Sequence, residues 1–286
     1  MGKVEFYAVT NTDIVGLPVP GQPSGFADLF RDLPLGVYSA LRTYEHNKFL
    51  DLEAHLVRTQ RSMDVLGWDY ELDTTRLRQA LHEVVTAFPA EEARVRFDVL
   101  AQPIREAGVE SRIVIALMPF TPVPRAFYEQ GVAVDYAPDL LRQRPEAKTA
   151  DFAQERDQYN PGRDQQAYEY LIVDEGNILE GTMTNFWAVR DGVVRTAGSG
   201  ILGGVTRKII LSLLPGLGLP VRLVAVQQDE VPFLDEAALS GSSRAFLPVT
   251  RIAGQVVGDG RPGPISRRIL DAYEVYVAEH IRTAVP

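Results

Sequence analysis

GILGGVTRKII, residues 200–210, is the stretch on which the reading of the fold turns. The paired Gly203 and Gly204 run directly into a helix start at Val205–Thr206. Such a junction offers backbone N–H groups and the positive end of a helix dipole, which suits a phosphate. Taken alone, the same residues also read as an ordinary glycine turn with Thr206 as N-cap. The GxxxxGK[ST] pattern of a P-loop is absent, and no GxGxxG follows the first strand. Upstream, in NILEGTMTNFWAV (177–189), Glu180 interrupts an apolar strand. A carboxylate there either faces solvent or lies buried against a protonated base. Downstream, ALSGSSRAFLPV (238–249) sets Gly241-Ser242-Ser243-Arg244 between two apolar strands, a polar loop or the last wall of an anion pocket.

Further toward the N-terminus the pattern is mixed α+β. Strands are expected at VEFYAV (4–9) and GVYSALRTY (36–44), followed by a helix opening at Asp51. Leu52, Leu56, Thr59, Met63 and Leu66 share one face of that helix and Gly67 closes it, with His55 and Arg58 on its polar flank. A second helix is expected near 75–87, then strands at 94–101 and 111–118. PFTPVPR (119–125) holds three prolines and reads as a linker. Mostly strands follow, with a hairpin turning at Arg190-Asp191-Gly192, and helices near Thr206 and Pro264. The expected architecture has two domains of α+β or α/β class. A small N-terminal α/β domain (1–118) and a linker (119–130) lead to a larger, strand-rich C-terminal domain (131–286), with the interdomain cleft as the default site.

Composition narrows the chemistry. The net charge of −9 argues against nucleic acid as a partner, since that needs a basic face. There is no cysteine, and the four histidines show no ligand spacing, so no metal site is expected. No apolar run is long enough to span a bilayer, and the expected setting is cytoplasmic, without membrane association. Only four of the 29 basic residues are lysine: Lys3, Lys48, Lys148 and Lys208. Lys148, in RPEAKTADF (144–152), is flanked by small residues and a proline rather than by a charged helical face, as a lysine with a depressed pKa would need. A lysine on a surface turn fits the same residues.

Six segments in this order, GVYSALRTY, HLVR (55–58), EAKTADF (146–152), ILEGTMTNFWAV (178–189), ILGGVTR (201–207) and GSSRAFLPV (241–249), resemble the class IV aminotransferases, and the resemblance covers residue 31 to the C-terminus. It implies a two-domain, fold-type IV enzyme dependent on pyridoxal 5′-phosphate, homodimeric, with an amino donor and a 2-oxo acid acceptor as substrates. By position it implies Lys148 as the Schiff-base lysine. Arg58, the N–H groups of Val205 and Thr206, and the Ser242 hydroxyl would grip the phosphate. Glu180 would face the pyridine nitrogen, making the ring an electron sink. Tyr38, Arg96, Ser243 and Arg244 are the candidate substrate contacts. The subfamily match is looser: branched-chain enzymes carry FEGIR where this chain has Tyr38-Ser39-Ala40-Leu41-Arg42, and a tyrosine where it has Phe152. The carboxylate-binding arginine of the D-amino-acid enzymes falls at Ala101. Transamination of branched-chain type is the first reading. The alternatives are 4-amino-4-deoxychorismate lyase, D-amino-acid or (R)-amine transamination, and a binding protein without turnover.

Overall fold

A computed structural model describes residues 4–19, 21, 23, 25–159 and 167–285. Lys3 lies outside the described residues. The chain forms two compact units, one of Met1–Thr121, Ala147–Gln154 and His280–Pro286, the other of Pro122–Glu146 and Glu155–Glu279. The division is therefore not a single cut near the proline-rich segment, because Ala147–Gln154, which carries Lys148, belongs to the first unit.

In the first unit, β1 (Glu5–Val9), β2 (Ile14–Gly16), α1 (Phe26–Phe30), β3 (Gly36–Arg42), β4 (Lys48–Leu50), α2 (Leu52–Val65), α3 (Thr74–Ala87), β5 (Ala93–Glu106) and β6 (Val109–Pro119) follow in chain order. Five of these strands form one sheet in the order β2-β1-β6-β5-β3. Alternation along the strands divides it into two buried faces. Val95, Phe97 and Val99 of β5 join Leu56, Met63, Leu77 and Leu81 of α2 and α3 in one core. On the other face, Leu100 of β5 and Ala116 of β6 pack with Phe26 and Phe30 of α1. Arg96 and Asp98 share the Leu100 face of β5, Arg96 against the Phe30 ring, and both are buried. Ile281–Thr283 returns to pair with β4.

Helix α2 starts at Asp51, whose side chain accepts the Ala54 N–H, and Gly67 takes a positive φ of 70° just beyond it. Its expected apolar face is buried. His55 and Arg58, expected on a polar flank, are buried as well.

The second unit contains α4 (Arg125–Gln130), β7 (Val132–Ala137), α5 (Ala150–Glu155, shared with the first unit), β8 (Glu169–Asp174), β9 (Asn177–Gly181), β10 (Asn185–Arg190), β11 (Val193–Arg195), α6 (Val205–Leu213), β12 (Val221–Arg222), β13 (Val226–Gln227), β14 (Glu236–Gly241), β15 (Ala245–Ile252), β16 (Gln255–Val256) and α7 (Pro264–His280). Its sheet runs β12-β11-β10-β14-β15-β7-β8-β9-β13, and a further β9–β10 pairing closes six of the strands on themselves. The β10–β11 hairpin turns at Asp191 and Gly192, both at positive φ, as a two-residue turn of this hand requires. Helix α6 is capped by Gly204, not Thr206, which lies in the first turn and is buried. Glycine is required at that cap because a Cβ would overlap Asn185 Oδ1. No helix of the described residues is long and apolar enough to cross a membrane.

The β11 end of the sheet is tied down by Glu230, which accepts from both terminal nitrogens of Arg195 (2.7 and 3.0 Å) and from the Gln227 N–H (2.9 Å). The Arg195 hydrogen bond, then that N–H, pull its carboxyl pKa down to about 2. A depressed carboxyl pKa stabilises the fold above the unfolded value of about 4.3 and loses that contribution as pH falls toward the folded value. Between about pH 4 and pH 2 the urea midpoint of the wild type should therefore fall more steeply than that of Glu230→Gln. Parallel acid limbs would contradict this.

Candidate active site

In the first unit the candidate residues gather around Lys148. The residue adds one rung to the open edge of β3: the Tyr38 N–H donates to Lys148 O at 2.9 Å, and Thr149 bridges Val37. From the other side Lys148 N–H donates to Ser62 Oγ of α2 at 3.1 Å. The side chain is only 8% exposed, and its Nζ lies 4.6 Å from the centroid of the Tyr38 ring. Among the described lysines it alone is buried.

Ser62 also connects Lys148 to Arg58, because its hydroxyl donates to Arg58 O at 2.8 Å. The Arg58 guanidinium reaches Ser39 Oγ at 2.9 Å and His55 Nδ1 at 3.3 Å. Burial, reinforced by the charges of Arg58 and Lys148, holds the His55 pKa well below the usual imidazole range. A neutral ring accepts from Arg58 at Nδ1 and leaves the positive charge to the arginine. This cluster of α2 and β3 is a buried cation held by one hydroxyl and one imidazole, a setting fit for a phosphate dianion.

Arg96 and Tyr38, both candidate substrate contacts, belong to the same cluster. Arg96 spends its Nε and Nη2 on Asp98, at 2.7 and 2.6 Å, and lies 4.2 Å from the Tyr38 ring centroid. Burial opposes the Arg96 charge, but the Asp98 carboxylate outweighs it, so its pKa lies above the ordinary arginine value.

The second unit builds around Glu180, which is 2% exposed. Arg142 Nε donates to Oε1 at 2.8 Å, while Asn185 Nδ2 (3.3 Å) and the Leu202 N–H (3.1 Å) donate to Oε2. A carboxylate has roughly four lone-pair directions, so three donors leave it one more to accept. The strand register places Glu180 opposite Asn185 and Asn185 opposite Ser240, two residues before Ser242. Asn185 also donates to Leu202 O at 2.9 Å, fixing the approach to Gly204 and to the α6 N-terminus with Val205 and Thr206.

Ser242 and Ser243 form the half-buried tip of the β14–β15 hairpin, where Arg244 N–H donates to Gly241 O. Arg244 itself is turned inward. Its Nε donates to the Tyr168 hydroxyl at 3.1 Å and lies 3.6 Å from Glu169 Oε2. Glu169 in turn accepts from Met183 N–H and the Thr184 hydroxyl. That is a brace for the 181–184 turn beside Glu180.

Sequence reasoning passed over Ser39, Ser62, Arg142 and Asn185. Only Ser62 carried a local signal, standing at i+4 from Arg58 on the same helix; the others are joined to their partners by tertiary pairing.

The matched family model, amino-transferase class IV, spans residues 36–252. The chain belongs to that family, and is therefore a pyridoxal-phosphate-dependent transaminase of the fold-type IV architecture. It is similar to the D-alanine aminotransferase of Bacillus licheniformis, with 26% identity over 246 residues, covering 84% of this chain and 86% of that one. The branched-chain-amino-acid aminotransferase of Pseudomonas aeruginosa is 24% identical over 258 residues, covering 84% and 83%. Among solved structures, a hypothetical aminotransferase from Mycobacterium tuberculosis in its PLP-bound form superimposes with a TM-score of 0.74 at 18% identity, covering 97% of this chain and 99% of that one.

Removing Arg142 would leave Glu180 buried with neutral hydrogen-bond donors only. Arg142→Met should lower unfolding stability in urea by about 3 kcal/mol, and adding Glu180→Gln should recover part of the loss. A single variant as stable as wild type would show that the pair contributes nothing.

Proposed function

We propose that this transaminase carries its cofactor on Lys148 and exchanges the amino group of an amino acid with a 2-oxo acid. The observation that carries the reading is the joint placement of Lys148 and Arg58 by Ser62: a buried amine and a buried cation, suited to an aldehyde and a phosphate, fixed by one hydroxyl. Bound there, pyridoxal 5′-phosphate supplies the aldehyde that captures amines and the ring that takes up the electron pair left by the α-proton. Arg58, the N–H groups of Val205 and Thr206, and Ser242 Oγ bind the phosphate. Lys148 Nζ would hold the cofactor and would move the α-proton. Glu180, paired with Arg142, would hold the proton on the ring nitrogen. Ser243 is the contact proposed for substrate, and the working assembly is a homodimer in the cytoplasm.

The donor proposed first is a branched-chain amino acid. A D-amino acid is the second reading, favoured by relatives named D-alanine aminotransferase. A panel of L- and D-amino acids, primary amines and 2-oxo acids, followed by loss of the visible cofactor band, decides between them. Loss of the amine acceptor's role, with pyruvate-type elimination products instead, would point to the lyase.

Two variants separate binding from chemistry. Arg58→Ala should weaken cofactor affinity by about 2 kcal/mol or more, so that dialysis strips the cofactor and excess restores the rate. Glu180→Gln should keep the cofactor yet slow the half-reaction by orders of magnitude, the mark of an interaction made mainly in the transition state. A Glu180→Gln enzyme that reacts as fast as wild type would take Glu180 out of this role.

A further inference from the structure

An arginine beside the cofactor lysine is the natural trap for a substrate carboxylate, because its planar fork binds both oxygens at once. Arg96 has that position. It shares the Tyr38 ring with Lys148, their charged ends lying 4.2 and 4.6 Å from its centroid. Its Nε–Nη2 edge, however, is already taken. Asp98, two residues on along the same face of β5, accepts from Nε and Nη2. The Phe30 ring lies 3.9 Å from the guanidinium carbon, and the two charged side chains are 6% and 1% exposed.

We propose that Asp98 is a specificity-determining residue: it withholds Arg96 from substrate carboxylates, so that the part of the substrate reaching Tyr38 and Phe30 is uncharged. The inference rests on the reading that Lys148 carries the cofactor. A carboxylate could take the Nε–Nη2 edge only by displacing the equivalent one already there, leaving Asp98 bare in an apolar layer, and one approaching Nη1 meets a guanidinium whose charge Asp98 already neutralises. The exchange gains no ion pair and strands a buried charge. The Asp98 carboxylate also stands within the field of Lys148. Burial raises its pKa while Arg96 and then Lys148 oppose the rise, so a second carboxylate brought to the lysine meets like charge. What remains for a substrate is a neutral ion pair faced by two aromatic rings. That environment accepts an apolar side chain and rejects an acidic one.

The test uses the cofactor-loaded enzyme and two acids of equal length, glutarate and pentanoate, which share one carboxylate and differ in the second. Binding is measured by calorimetry for wild type, Asp98→Asn, and the double variant Arg96→Met with Asp98→Leu. Wild type should prefer pentanoate. Asp98→Asn, which keeps the shape and frees the guanidinium, should shift the affinity ratio toward glutarate by roughly tenfold or more. The double variant has no guanidinium to free and should show no such shift. A wild-type preference for glutarate would overturn the inference without any variant, and so would a folded Asp98→Asn enzyme with an unchanged ratio. If the wild type fails to carry cofactor on Lys148, the functional reading falls and takes this inference with it. Loading on Lys148 with an unchanged ratio removes the inference alone.

Discussion

The hydroxyl of Ser62 joins two segments far apart in sequence, donating to Arg58 O within α2 and accepting the Lys148 N–H from the strand-like rung beside β3. Each such bond adds only about 1 kcal/mol net, yet the constraint is larger than its energy. Without the hydroxyl, a buried backbone N–H would lose its acceptor on one side of Lys148, while the Tyr38 N–H holds the carbonyl on the other. The lysine is thus clamped through its own main chain, and its side chain lies over the Tyr38 ring. Lysine side chains are otherwise the most mobile and best hydrated in a protein. Fixing the backbone at both ends of the residue is how the fold turns one of them into a positioned amine.

Around this clamp the buried charges are sorted by neighbours. His55 is kept neutral by burial and adjacent cations, so Arg58 keeps its charge for an anion. Arg96 is neutralised by Asp98, and Glu180 accepts from Arg142 and two further donors. Both of these charges are paired within the chain, as the cost of desolvation demands. Asp98 and Arg142 therefore matter as much as the residues they serve. One pairs with Arg96, the other with Glu180.

Much of this was legible in the sequence because it is local. The alternation of 94–101, the helical face from Leu52 to Leu66, the Asp-Gly hairpin turn and the glycine pair before α6 each follow from neighbours within a few residues. The scarcity of lysine made Lys148 a short list. The burial of Arg58 was not legible, since its cover comes from β3, and neither was the choice of Gly204 over Thr206 as cap, which Asn185 imposes from 19 residues upstream. Arg142 meets Glu180 across 38 positions. The return of Ala147–Gln154 to the first unit rests on the Thr149–Val37 bridge and the Lys148 main-chain bonds to Tyr38 and Ser62, tertiary pairings that linear composition does not reveal.

The central claim, that the clamped Lys148 is the amine that holds the cofactor, is tested most directly by borohydride reduction of the loaded enzyme followed by proteolysis and mass spectrometry. The pyridoxyl mass should appear on the peptide bearing Lys148 and on no other. Stoichiometric label on the peptide of Lys3, Lys48 or Lys208 would contradict the account.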